Sequence, residues 1–143
     1  MDREEGRTRC LGLDVGDRWV GVALGDPSGV LASPLTIIGR REETADLAAI
    51  TAIIEEHNVG RVIVGLPYST DGSLGPQAEK VMAFTRQLRG RTTVPVEFRD
   101  ESLTTVTAQH LMREARPRRN RPPARDDAVA AALILQGYLD ERG

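Results

Sequence analysis

The sequence predicts an α/β fold: a mixed five-stranded sheet flanked by helices. Two patterns and one rule lead there. Three apolar, alternating segments open the chain with turn residues between them, and beyond residue 42 the pattern changes to helix, strand, helix, strand and helices. The right-handed crossover rule then sets the fourth strand parallel to the first and beside it.

The elements follow in order. Residues 8–15 and 18–25 read as strands separated by Gly16-Asp17, a hairpin signal, and residues 30–38 add a third antiparallel strand. Residues 42–57 carry Leu47, Ile50, Ile53 and Ile54 at helical spacing, and residues 61–65 form a short buried-strand pattern. Asp71-Gly72 turns the chain and Pro76 suits a first helical turn. Ala78, Val81, Met82, Thr85 and Leu88 mark one face of the helix that follows. Residues 94–98 are the fifth strand; helices over residues 103–112 and 127–139 complete the chain around an arginine-rich loop.

At 143 residues the chain fits one domain, residues 1–143, with no internal repeat. Its one cysteine, Cys10, lies in a strand pattern and reads as a small buried hydrophobe. With no disulfide framework possible, a reducing cytoplasm is expected. No apolar stretch approaches a membrane span, and residues 1–9 lack the apolar core of a signal peptide. The formal charge of -2 conceals an uneven distribution, because eighteen of the nineteen basic residues are arginines. Arg113, Arg116, Arg118, Arg119, Arg121 and Arg125 crowd one stretch against a single acid, Glu114. Pro117, Pro122 and Pro123 interrupt that stretch, which reads as a loop. Guanidinium groups fork onto phosphates, so the loop points to nucleic acid over a merely solvated linker; without interleaved aromatics it implies no base stacking.

Asp14, Glu101 and Asp127 carry the chemistry. The first ends the first strand, the second follows the fifth, and the third opens the last apolar run. Carboxyl ends of strands one and four face the same sheet edge, where sites in open α/β sheets gather. Taken singly, each acid has a bland explanation: Asp14 serves the hairpin turn, Glu101 favours a helix start, and Asp126 or Asp127 caps the last helix. Jointly those explanations leave the convergence unaccounted for. Clustered carboxylates are oxygen donors for hard Mg²⁺ or Mn²⁺ ions, whose binding relieves their mutual repulsion, and two such ions suit phosphodiester hydrolysis. Asp14 would be the central ligand, with Gly12 leaving space beside it, and Asp126 an outer group only. His57 and His110 read as surface or packing residues, and Tyr138 and Trp19 as packing residues over base-stacking platforms, Trp19 being the one beside the site.

Asp14-Val15-Gly16 with Gly21-Val22-Ala23 resembles the opening Asp-x-Gly and Gly-Val-Ala of the YqgF/RuvX family, Holliday junction resolvases also assigned to pre-16S ribosomal RNA processing. Gly65-Leu66-Pro67, Asp71-Gly72-Ser73 and residues 75–81 resemble its centre. Asp100-Glu101-Ser102-Leu103-Thr104-Thr105 is similar to its Asp-Glu-Arg/Ser-Leu-Thr-Thr block, and Asp127-Ala128-Val129-Ala130-Ala131 with Leu133-Ile134-Leu135-Gln136 to its close. The resemblance spans residues 11–139. It implies a ribonuclease H-like fold, nuclease activity, and catalytic, metal-binding roles for Asp14, Glu101 and Asp127. Two departures bear on substrate preference: Arg18-Trp19 stands where the family commonly has a basic pair, and Tyr68-Ser69-Thr70 replaces a commoner Asn-Met pair.

The sequence therefore leads to a cytoplasmic, Mg²⁺- or Mn²⁺-dependent endonuclease on structured nucleic acid, either pre-rRNA or branched DNA. Arg18 and the six loop arginines would contact phosphates, and the chain would act as a monomer or homodimer. An actin-like ATPase shares the first motif but needs two lobes, for which the chain is too short. A non-catalytic nucleic-acid-binding ribosome-assembly module is the remaining alternative.

Overall fold

The computed structural model describes residues 9–67, 74–100 and 125–142, with residues 125–127 described in backbone only. Three antiparallel strands come first: β1 (Arg9–Val15), β2 (Trp19–Gly25) and β3 (Ala32–Gly39). Then follow α1 (Glu43–Glu56), β4 (Val59–Leu66), α2 (Pro76–Arg89), β5 (Val96–Asp100) and α3 (Arg125–Arg142). The strand order is β3-β2-β1-β4-β5, with β4 parallel to both β1 and β5. The expected arrangement is thus the observed one; the helix expected over residues 103–112 lies outside the described residues.

Alternation along β1 sends its side chains to two different layers. Leu11, Leu13 and Val15 join a core with Leu47, Ile50 and Ile54 of α1 and Ala78, Val81, Phe84 and Leu88 of α2. Cys10 faces the other way, into a smaller core with Ala23, Ile63 and the Ala130, Ala131, Ile134, Leu135 and Leu139 stripe of α3. Each fully buried leucine or isoleucine contributes about 1.5–3 kcal/mol to holding these layers together.

Differences from the sequence reading are local. Residues 16–18 form a three-residue hairpin loop, closed by the Gly16 N–H donating to Trp19 O at 2.9 Å, where Gly16-Asp17 suggested a two-residue turn. Neither residue takes the positive φ that such a turn requires. β4 begins two residues before its expected start, because Asn58 adopts φ 54° as α1 ends and turns the chain directly into the sheet. β5 is displaced two residues toward its C-terminus, to end at Asp100, the residue before Glu101. α3 starts at Arg125, so Asp126 and Asp127 lie in its first turn and not at a cap.

Cys10 is buried as expected. Burial pushes its thiol pKa up, against the opposing pull of Arg142 and Arg61. No helix among the described residues is long and apolar enough to cross a membrane.

Candidate active site

Asp14 is only 8 % exposed although it lies at the edge of the sheet. It belongs to the β1–β2 ladder, directly opposite Gly21, and is not part of the hairpin turn. An aspartate that does serve a turn is found at Asp26. Its carboxylate accepts from Ser28 Oγ at 2.6 Å and from the Val30 and Leu31 N–H groups, which holds its pKa at about 2.

The position of α3 decides what faces Asp14. A Cβ on Gly12 would come within 2.8 Å of both Ala131 O and Leu135 Cβ, so Gly12 is where the helix meets the sheet. Gly12 therefore makes room for α3, a different role from the space beside a metal ligand that the sequence suggested. Asp14 shares that face by strand alternation. Leu139 Cδ1 lies beside Gly25, and Arg142 Nη1 lies 3.8 Å from Cys10 Sγ, so the C-terminal end of α3 covers the start of β1. The helix therefore runs antiparallel to the strand. Asp127 precedes Ala131 by one turn, about 6 Å along the axis, and Asp14 follows Gly12 by about 6.7 Å. The two backbones are thus drawn to the same end. Gln136 fixes this register, accepting from Ala32 N–H at 2.9 Å and donating to Val30 O at 2.8 Å. Its place in the closing motif marked the residue, but the pattern gave no sign of its anchoring role.

β5 approaches the same edge. Leu13 pairs with Val64 and Leu66 with Asp100, which sets Asp100 level with Val15 two strands away, about 9–10 Å. Glu101 is the next residue in the chain but lies outside the described residues, as does the Asp127 side chain. Among the described residues, no group of three His, Cys, Asp or Glu side chains could hold a metal ion. The donor set that the sequence proposes consists solely of carboxylate oxygens, which suits hard divalent ions, and Asp14 is a buried member at the correct edge.

A clamp that the sequence reading missed holds the hairpin immediately after Asp14. Arg40 Nε donates to the buried Asp46 carboxylate at 2.8 Å, its Nη1 donates to Gly16 O at 2.9 Å, and its guanidinium lies 4.9 Å from the Phe84 ring centre. Gln77 Nε2 donates to Val15 O from the α2 side. An arginine six residues before an aspartate across a helix start carries no recognisable sequence signal. Arg40→Ala should cost about 2 kcal/mol, between the values typical of exposed and buried pairs, as measured by urea unfolding. Arg40→Lys should recover only part of that, since one ammonium cannot reproduce the forked contacts.

Of the expected phosphate contacts, Arg18 is exposed on the hairpin loop. The backbone of Arg125 opens α3, whereas Arg113, Arg116, Arg118, Arg119 and Arg121 lie outside the described residues. Trp19, expected to pack, lies against Gly39 while 45 % of it stays exposed. Tyr138 packs against the α3 core as expected.

Residues 8–141 match the family described as "RuvX: Holliday junction resolvase". This chain belongs to the RuvX family. A relative from Moorella thermoacetica named "Putative pre-16S rRNA nuclease" is 50% identical over 94% of this chain and 96% of its own length. One of the same name from Desulforudis audaxviator is 46% identical over 94% and 95%. In three dimensions this RuvX-family chain is similar to Thermus thermophilus RuvC in complex with a Holliday junction substrate, with a TM-score of 0.59 at 15% identity over 94% of this chain and 95% of that one. It also resembles the fowlpox virus Holliday junction resolvase, with a TM-score of 0.53 at 11% identity over 93% and 99%. The fold is ribonuclease H-like.

Proposed function

We propose that this chain is a cytoplasmic, Mg²⁺- or Mn²⁺-dependent endonuclease that hydrolyses phosphodiester bonds in structured nucleic acid, with residues 1–143 acting as one nuclease domain. Asp14, Glu101 and Asp127 are its metal-holding carboxylates. The observation that carries this reading is the antiparallel seating of α3 on β1 through Gly12, which draws the start of the helix to Asp14. Divalent ions, when bound, supply positive charge for activating a water and stabilising the departing oxygen. The chain's own contribution is to fix the carboxylates at the sheet edge. The hairpin clamp keeps Asp14 in place, and the packed faces of β1 exclude solvent from behind it.

Relatives at 46% and 50% identity are named for pre-16S rRNA, which favours processing of that precursor as the activity, and its 5′ end is the site proposed for this chain. The family description favours branched DNA as a second substrate. A cleavage assay tests the proposal by comparing an rRNA precursor with a four-way DNA junction, with and without Mn²⁺. Mn²⁺-dependent cutting of the precursor supports it. Tight binding to both substrates with no cutting under any metal would leave the non-catalytic assembly module instead.

Arg18, Arg113, Arg116, Arg118, Arg119, Arg121 and Arg125 are assigned to phosphates. Affinity should therefore fall steeply with salt. Replacing Arg118 and Arg119 together with alanine should lower the slope of log affinity against log salt by about 1.5–2, and an unchanged slope would remove those two residues from the interface.

A further inference from the structure

We infer that Trp19 is a stacking platform for an unpaired nucleobase next to the scissile phosphate, and so sets a preference for substrates that are single-stranded at the cut. This rests on the nucleic-acid reading above but concerns a residue to which that reading gives no part. Trp19, Gly21 and Ala23 alternate onto one face of β2; Ala23 packs in the α3-side core, and Gly21 stands directly opposite Asp14. Trp19 and Asp14 are therefore diagonal neighbours on the same face, their backbones about 7–8 Å apart, with the indole leaning to the β3 side.

The ring has a built seat. It lies across Gly39, its β3 partner, where a Cβ would already touch Cζ3 at 3.6 Å and Cε3 at 3.8 Å. The lack of a side chain at Gly39 lets the indole lie low against the sheet, and nearly half of the residue remains exposed. Arg40 N–H donates to Arg18 O at 2.8 Å, which brings residues 39–41 alongside the hairpin. The exposed Arg18 and Arg41 consequently flank the ring in sequence on both strands. An exposed aromatic between basic residues, beside a carboxylate assigned to phosphodiester cleavage, fits a base whose phosphates are gripped on either side. Bases inside a duplex have both faces stacked already, so only an unpaired or extruded base can use the indole.

Trp19 is the only tryptophan in the sequence, so its emission reports this contact directly. The full chain is titrated in Ca²⁺, a metal chosen to limit turnover, with a short single-stranded oligonucleotide and with the same sequence annealed to its complement. RNA and DNA versions are both used. The inference predicts quenching by the single strand and little by the duplex. Trp19→Ala should weaken single-strand binding roughly tenfold, the effect of losing one base stack, with the salt slope unchanged. Trp19→Phe should restore most of the affinity. If saturation with single strand leaves the emission unaltered, or if Trp19→Ala binds it as the wild type does, the inference is overturned. Quenching and the affinity loss without any metal-dependent cleavage would uphold the platform while removing the nuclease reading. Normal cleavage by Trp19→Ala with unchanged strand preference would do the reverse.

Discussion

An Asp14→Asn protein should fold and bind nucleic acid like the wild type but cleave it more than 100-fold more slowly. The magnitude follows from the place of the residue. Removing an outer partner of a metal ligand typically costs about 10–100-fold, and Asp14 is assigned as the central ligand itself, so its loss should exceed that range. The buried carboxylate also makes a second, independent measurement informative. Mn²⁺ should raise the melting temperature of the wild type, since a ligand that binds only the folded state stabilises it by mass action. In Asp14→Asn that rise should shrink. Equal Mn²⁺ stabilisation of the two proteins would mean that the metal is held elsewhere.

Gly12→Ala should be among the most damaging glycine-to-alanine changes at the described residues. The added Cβ would meet a backbone oxygen and a Cβ of α3 at 2.8 Å, neither of which is the tip of a flexible side chain. The helix must therefore move away from the strand. Overpacking of this kind costs about 1–3 kcal/mol, occasionally more, and here the displaced element carries Asp127. Activity should consequently fall further than the loss of folded protein explains. Gly25→Ala is the control: its Cβ would have nothing nearer than 3.4 Å, so a smaller loss is expected. Urea unfolding and cleavage rate, measured on both variants, check the pair of statements.

Much of this architecture was legible because each signal had a single physical cause. Alternating apolar residues before residue 40 and helical spacing after it specify which faces are buried, and the crossover rule then leaves little choice about where β4 sits. Asp14 was legible for a related reason: an acid at the end of an otherwise apolar strand has no packing explanation. Strand limits were less legible, because Asn58 in the left-handed region and the three-residue hairpin loop depend on local backbone choices that composition constrains weakly. The Arg40–Asp46 clamp was not legible at all. Its partners are joined only when α1, α2 and the hairpin pack, and no local pattern encodes a contact among three elements. Gly12 shows an intermediate case, in which the need for a small residue was readable while the neighbour that requires it was not. The packing expected of Trp19 holds on the side that rests on Gly39, while its place at the hairpin end of β2 leaves the rest exposed, a detail that depends on the loop's backbone.

The most direct measurement is a crystal structure of the chain soaked in Mn²⁺, with the ions located by their anomalous scattering. The account predicts manganese at the carboxyl edge of β1, bound at about 2.1 Å by oxygens of Asp14, Glu101 and Asp127. Manganese bound at another place, or any one of those three carboxylates standing beyond coordinating distance of the ions, would contradict it.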